Sequence, residues 1–204
     1  MKERVKTLFF QNVANIITLI GLLCAIWVAI IVLYQPEKIL LTLVLVLFTG
    51  ITDFVDGKLA RYLKIESTLG KALDRLRDKI LVCPLLVVLI YRHLLSSKNS
   101  QILATFTASL VFLIILIELL LVVAWFLGLI KQWDVSSNIY GKRKMFFQFL
   151  TVCFWMTTIV VEKYLGLKLV FPTIVIINLL LIITIYFGFK SLLEYCNRYS
   201  SKQK

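Results

Sequence analysis

Residues 39–61 read ILLTLVLVLFTGITDFVDGKLAR: an uncharged run from Ile39 to Thr52, then Asp53, Asp56, Lys58 and Arg61. The run is apolar enough for a bilayer, but at ~1.5 Å per residue its length of about 21 Å falls short of the ~30 Å hydrocarbon core. A helix through this stretch therefore carries Asp53 below the headgroups. Composition supports a membrane setting for the whole chain. Of 204 residues, 60% are hydrophobic and 17% charged, with a mean hydropathy of +0.92. A soluble domain has about 25% charged and 45–50% apolar residues, so one aqueous core could not hide this much apolar surface. Six spans of about 20 residues need about 120 apolar residues, close to the content found.

Working outward, six apolar runs read as transmembrane helices: Val13 to Tyr34, Ile39 to Arg61, Gly70 to Tyr91, Ile102 to Ile130, Met145 to Val161 and Leu169 to Phe189. Val5, Leu8 and Phe9 fall at i, i+3 and i+4 among Lys2, Arg4 and Lys6, the pattern of an amphipathic helix lying on an anionic membrane face. The expectation is an all-α integral membrane protein in one domain, 1–204: a juxtamembrane helix over 1–12, a six-helix bundle over 13–190 and a cytoplasmic tail over 191–204. No cleavage pattern of small residues follows the first run, which is expected to remain as a span.

The 23 Lys and Arg against 11 Asp and Glu give a net charge of +12. With the N-terminus inside, 18 of the 23 cations fall on cytoplasmic segments, and Lys38, Arg92, Lys98, Lys163 and Lys168 fall outside. The positive-inside rule thus puts both termini in the cytoplasm, in the cell membrane of a multi-pass protein. A topology signal accounts for the charge better than a nucleic-acid partner does. Cys24, Cys83, Cys153 and Cys196 show no CxxC spacing, so neither a disulfide framework nor zinc is indicated. His93, the one histidine, lies beside Arg92 in a polar stretch and carries no signal of its own. The four tryptophans sit within or near span ends, as interfacial anchors do.

Five acids on three helices are expected at one depth in the cytoplasmic third of the membrane: Asp53, Asp56, Asp74, Asp78 and Glu118. An ionised group at mid-membrane costs roughly 2.5–3.5 kcal/mol on insertion scales, which favours a hydrated cavity with compensating cations over scattered ion pairs. Spacing carries the chemistry. Asp53, Asp56, Gly57, Ala60 and Arg61 fall at i, i+3, i+4, i+7 and i+8, and Gly70, Asp74 and Asp78 at i, i+4 and i+8: one stripe on each of two helices. The intervening Tyr62 to Leu69 is long enough to turn the stripes face to face. Four carboxylates across a helix pair suit two hard divalent cations about 3.5–4 Å apart. Magnesium completes its shell with phosphate oxygens and water, which implies a diphosphate substrate. Gly57, Ala60 and Gly70 leave room beside the backbone, and Arg61 is placed to neutralise a phosphate.

The gapless series D-x-x-D-G-x-x-A-R-x8-G-x-x-x-D-x-x-x-D from Asp53 to Asp78 resembles the signature of the CDP-alcohol phosphotransferase (CDP-alcohol phosphatidyltransferase) family, six-helix membrane enzymes that often form homodimers. Asn15 and Thr18 resemble its first-helix Pro-Asn-x-x-Thr, with Ala14 in the proline's place. Gly141, Lys142, Lys144 and Gln148 resemble its Gly-Lys-x-Lys-Thr-x-x-Gln run, with Met145 for threonine. Thr52-Asp53-Phe54, Gly70-Lys71 and that second run are most similar to the phosphatidylglycerophosphate synthases. Other departures are Arg75 and Arg77, which replace a proline and an alanine. Glu118 matches a helix-four glutamate, but Ile117 and Trp125 stand where the glycerophosphate enzymes often carry arginine.

The resemblance implies two Mg or Mn ions on Asp53, Asp56, Asp74 and Asp78, with Asp78 also the general base. It implies nucleotide and diphosphate contacts from Asp53, Gly57, Ala60, Arg61 and Gly70. Lys142, Arg143 and Lys144, with Glu118 and Gln148, are candidates for an acceptor site. The implied reaction joins CDP-diacylglycerol to glycerol 3-phosphate and releases CMP. Inositol phosphate or phosphatidylglycerol are alternative acceptors. An acceptor bearing a phosphate needs cations in its pocket, and Ile117 and Trp125 do not supply them. A cation transporter could also use intramembrane acids, but its path should be polar throughout, and the outer halves of these spans are Leu, Ile and Val. A purely structural protein leaves the spacing unexplained.

Overall fold

In a computed structural model the chain is described over residues 19–35, 37–62, 68–96, 101–131, 138–167 and 170–200, with backbone alone over 53–62, 68–76 and 170–171. The described residues form six helices: α1 (Leu19–Tyr34), α2 (Ile39–Tyr62), α3 (Thr68–Ser96), α4 (Gln101–Ile130), α5 (Ile139–Leu165) and α6 (Val170–Ser200). No strand occurs among the described residues. The amphipathic helix expected over 1–12, Asn15, Thr18 and most of the turn between α2 and α3 lie outside the described residues.

The helices are rich in Leu, Ile and Val, which are moderate helix formers in water. In hydrocarbon the backbone must satisfy its own hydrogen bonds, and the helix does this within one segment. Hydroxyls follow the same rule: Thr42, Thr49, Thr107, Thr151 and Thr184 each donate to the carbonyl four residues back, at 2.7–3.0 Å. Four helical stretches are long and apolar enough to cross a membrane, Arg77–Ser96, Gln101–Ile130, Ile139–Leu165 and Pro172–Ser200; Leu19–Tyr34 and Ile39–Thr52 are shorter apolar helices. Burial is inverted relative to a soluble protein. Glu118, Lys144, Gln148 and Asn178 are buried, while Leu113, Phe112, Leu119, Ile182 and many similar residues face outward. These features describe a multi-pass membrane protein.

The contacts divide the chain into Met1–Leu85 and Leu86–Lys204. In the first unit, α1 buries Gly21, Ala25, Val28 and Val32, a stripe at helical spacing. A Cβ on Gly21 would lie 2.6 Å from Arg77 Nη1 and 3.2 Å from its Cδ, so the bare glycine is what admits this guanidinium against α1. A tight turn links α1 to α2, with Gln35 N–H donating to Ile31 O and Lys38 N–H to Gln35 O.

In the second unit α6 packs against both α4 and α5. Contacts advance together along α4 and α6, from Ile117 beside Gly188 to Ala124, whose carbonyl accepts from Tyr199 Oη at 2.9 Å; these two helices run parallel. Contacts with α5 advance in opposition, from Asn138 on Ser191 to Lys144 beside Gly188, so α5 is antiparallel. Ile117, Leu121 and Tyr195 form an apolar cluster closed by Ile185, Leu192 and Tyr199.

Three bounds of α5 and α6 differ from the sequence expectation for identifiable reasons. α5 begins at Ile139, ahead of the apolar run at Met145, because Asn138 caps it. The Asn138 Oδ1 accepts from Gly141 N–H at 2.6 Å and from Ser191 Oγ at 2.9 Å, while Nδ2 donates to Ser191 O at 3.0 Å. The same helix ends at Gly166, whose φ of 66° suits glycine and whose N–H closes on Glu162 O. α6 continues past Phe189 to Ser200, so 191–200 is helix and not an open tail: no Gly or Pro interrupts it, and Tyr195 is buried on α4.

Candidate active site

The aspartate series lies on the two helices expected for it, in the first unit. The α2 backbone is helical through Asp53 to Arg61, and the α3 backbone through Gly70 to Asp78. Helical register therefore keeps Asp53, Asp56, Gly57 and Ala60 on one stripe of α2, and Gly70, Asp74 and Asp78 on one stripe of α3. The side chains of Asp53, Asp56, Arg61 and Asp74 lie outside the described ones, as do the surroundings of Gly57, Ala60 and Gly70. Asp78 is described and is half-buried. The donor set is four carboxylates, hard oxygen ligands at helical spacing, and it suits magnesium or manganese by its chemistry. Among the described residues no group of three or more His, Cys, Asp or Glu is gathered for a metal ion.

Depth is adjusted by the structure. α3 runs on to Ser96, so about 27 Å of helix separates Asp78 from its far end, against the 18 Å expected from a span ending at Tyr91. That length is close to the ~30 Å thickness of a hydrocarbon layer. Glu118 lies about 26 Å along α4 from Gln101 by helix length.

Arg77 is a functional candidate that spacing alone leaves among the departures. It is 1% exposed, follows Asp74 by three residues on the aspartate stripe, and is within the electrostatic reach of Asp78. Its position at i+3 was the available signal; its seat on Gly21 was not, since one glycine in an apolar run says nothing of its neighbour.

In the second unit, the structure divides the expected acceptor group. Lys144 Nζ lies 2.5 Å from Glu118 Oε1, with side chains 5% and 4% exposed. Gly188 of α6 flanks the pair: a Cβ there would meet Ile117 Cγ2 at 2.9 Å and Lys144 Cδ at 3.4 Å. Gln148, one turn along α5, is 1% exposed, and both its amide atoms are buried with no hydrogen-bond partner among the described residues. An unpaired buried amide costs about 1–3 kcal/mol, so this side chain keeps capacity for a polar guest. Glu118, Lys144 and Gln148 thus form one inward polar layer. Lys142 and Arg143 do not join it: at 100° per residue they turn away from Lys144, and both are exposed.

A family model for CDP-alcohol phosphatidyltransferase matches residues 11–188. The chain belongs to the CDP-alcohol phosphatidyltransferase family. The match covers α1 to α5 and most of α6, including both polar groups described above. Three relatives bear the name CDP-diacylglycerol--glycerol-3-phosphate 3-phosphatidyltransferase. That of Cereibacter sphaeroides is 40% identical over 80 residues, 38% of this chain and 36% of its own. That of Aquifex aeolicus is 41% identical over 70 residues, 34% and 38% of the two chains. That of Rickettsia bellii is 35% identical over 82 residues, 39% and 45%. The chain spans less than half the length of these relatives.

Proposed function

We propose that this chain transfers a phosphatidyl group from CDP-diacylglycerol to glycerol 3-phosphate, forming phosphatidylglycerophosphate and releasing CMP. The observation that carries this reading is the gapless Asp53 to Asp78 series on two consecutive helices, within a family match over 11–188. The names of the three relatives support the donor and the acceptor. Six transmembrane helices, a cytoplasm-facing site with both termini inside, and a homodimer complete the proposal.

In the reaction the acceptor hydroxyl oxygen bonds to the β-phosphorus of the donor, the bond from that phosphorus to the bridging oxygen breaks, and the electron pair leaves with CMP. Asp78 takes the hydroxyl proton, a role within reach of a half-buried carboxylate. Asp53, Asp56, Asp74 and Asp78 would hold two divalent cations, which when bound neutralise the diphosphate and the charge on the departing CMP. Asp53, Gly57, Ala60, Arg61 and Gly70 line the nucleotide and its phosphates. The acceptor is oriented by Gln148, whose buried amide offers two donors and an acceptor, beside Lys144 held in place by Glu118. Lys142 and Arg143 stand outside that layer.

A different acceptor is favoured by one specific observation. The Lys144 charge is neutralised by Glu118, and Ile117 is packed in an apolar cluster where the glycerophosphate enzymes often carry arginine. An acceptor whose reacting end is an uncharged polyol, such as the glycerol of phosphatidylglycerol, fits such a layer. The test is an acceptor panel with radiolabelled CDP-diacylglycerol: glycerol 3-phosphate, inositol phosphate, phosphatidylglycerol, serine and choline. The proposal expects product with glycerol 3-phosphate. Product with inositol phosphate or phosphatidylglycerol alone moves the assignment to that acceptor, and CMP release with none of them removes the transferase reading.

A further inference from the structure

One face of the α5–α6 pair gathers rings and cations at the end nearest Asn138. On α5, Tyr140, Arg143 and Phe147 fall at i, i+3 and i+7; on α6, Tyr186, Phe187 and Lys190 occupy the facing turn. Phe147 and Phe187 stack across the seam with centroids 5.6 Å apart and planes at 9°. The Arg143 guanidinium lies 5.9 Å from the Phe187 centroid, and Lys190 Nζ lies 5.0 Å from Tyr186 and 5.4 Å from Tyr140. Both cations are therefore held over ring faces in the groove between two helices, and among the described residues neither is given a carboxylate contact. Glu194, one turn beyond Lys190, is engaged by Arg198 at 2.5 Å.

The depth of this cluster follows from helix length. Arg143 is about 33 Å along α5 from Leu165, and Lys190 about 27 Å along α6 from Pro172. These values bracket the ~30 Å hydrocarbon thickness, so the cations stand at headgroup level when the two helices span a bilayer. Away from the cations the seam continues as half-buried Phe154, Ile183 and Leu180, a strip for acyl chains. A topology signal needs only basic residues near a helix end; it does not account for two cations fixed over stacked rings in one groove.

We propose that this seam is a binding site for an anionic phospholipid, with the lipid phosphate between Arg143 and Lys190 and an acyl chain along Phe147, Phe154, Ile183 and Leu180. Charge complementarity selects an anionic headgroup, and the apolar strip selects a lipid over free phosphate. The inference rests on α5 and α6 as membrane spans and is independent of the reaction proposed above. The test uses the full chain in detergent micelles and native mass spectrometry with added phosphatidylserine, a lipid that is neither donor nor acceptor nor product of that reaction. Phosphatidylserine should be retained over phosphatidylcholine by roughly tenfold or more. In Arg143→Gln/Lys190→Gln its apparent affinity should fall roughly 30-fold, from about 1 kcal/mol per cation at 1.4 kcal/mol per tenfold, with phosphatidylcholine unmoved. The swapped Arg143→Lys/Lys190→Arg variant should keep the preference, which separates charge from misfolding. Equal retention of the two lipids, an unchanged affinity in the glutamine variant, or displacement of lipid by millimolar inorganic phosphate would each overturn the assignment.

Discussion

Removing one partner of the Glu118–Lys144 pair leaves the other charge in a buried layer. The two side chains are 2.5 Å apart and about one-twentieth exposed, so solvent screening is slight and the loss should approach that of a fully buried pair. Glu118→Leu alone and Lys144→Met alone should each destabilise by about 3–5 kcal/mol, because each removes one half of a buried ion pair. The double variant Glu118→Leu/Lys144→Met replaces the pair by apolar groups of similar volume. It should fall within about 1 kcal/mol of the parent or exceed it, since burying the ions carries its own desolvation penalty. The double-mutant cycle therefore carries several kcal/mol of coupling. Equilibrium unfolding of the purified chain in mixed micelles, followed by far-UV circular dichroism across denaturant, measures all four corners. Additive losses, with the double variant as unstable as the sum of the singles, would refute the pair as a buried, mutually dependent unit.

Other expectations follow from the same geometry. Gly21→Ala puts a Cβ 2.6 Å from Arg77 Nη1, so it should lower stability by about 1–3 kcal/mol as overpacking does, and Arg77→Ala in that background should restore part of the loss; melting curves of the single and double variants decide it, and no rescue would dissociate the two residues. Gly188→Ala should do the same at Ile117 and Lys144, where the new Cβ would lie at 2.9 and 3.4 Å. Chelation with EDTA should stop transfer and added magnesium or manganese restore it, whereas a full rate in metal-free buffer would contradict the reading of the four aspartates.

Much of the fold is legible in the sequence because hydrocarbon imposes a simple rule: apolar runs become helices, and the described residues of all six runs are helical. Their ends are another matter. The polar first turns of α5 are stabilised by Asn138, whose side chain bonds to Ser191, 53 residues away. No local pattern announces that partner. The extension of α6 over Lys190 to Ser200 escapes a reading based on hydropathy, because those residues are too polar for a span yet contain nothing that breaks a helix. The aspartate stripes are legible because carboxylates at i, i+3 and i+4 in an apolar chain have few structural explanations. The buried layer of Glu118, Lys144 and Gln148 was half legible. Three consecutive basic residues, Lys142 to Lys144, look alike in sequence, and the rotational phase of α5 decides which faces inward. That phase was implicit in the polar spacing of Lys144, Gln148 and Thr151, all of which are buried. The pairing of Lys144 with Glu118 needed the third dimension.

The central claim is that this chain moves a phosphatidyl group with Asp78 as base. The direct measurement is CMP release from CDP-diacylglycerol by the purified full chain, with and without glycerol 3-phosphate, for the parent and for Asp78→Asn. The account predicts CMP equal in amount to phosphatidylglycerophosphate, dependent on the acceptor, and abolished in Asp78→Asn while that variant still expresses and folds. Near-normal turnover in Asp78→Asn, or no CMP from the parent with any acceptor, would contradict it.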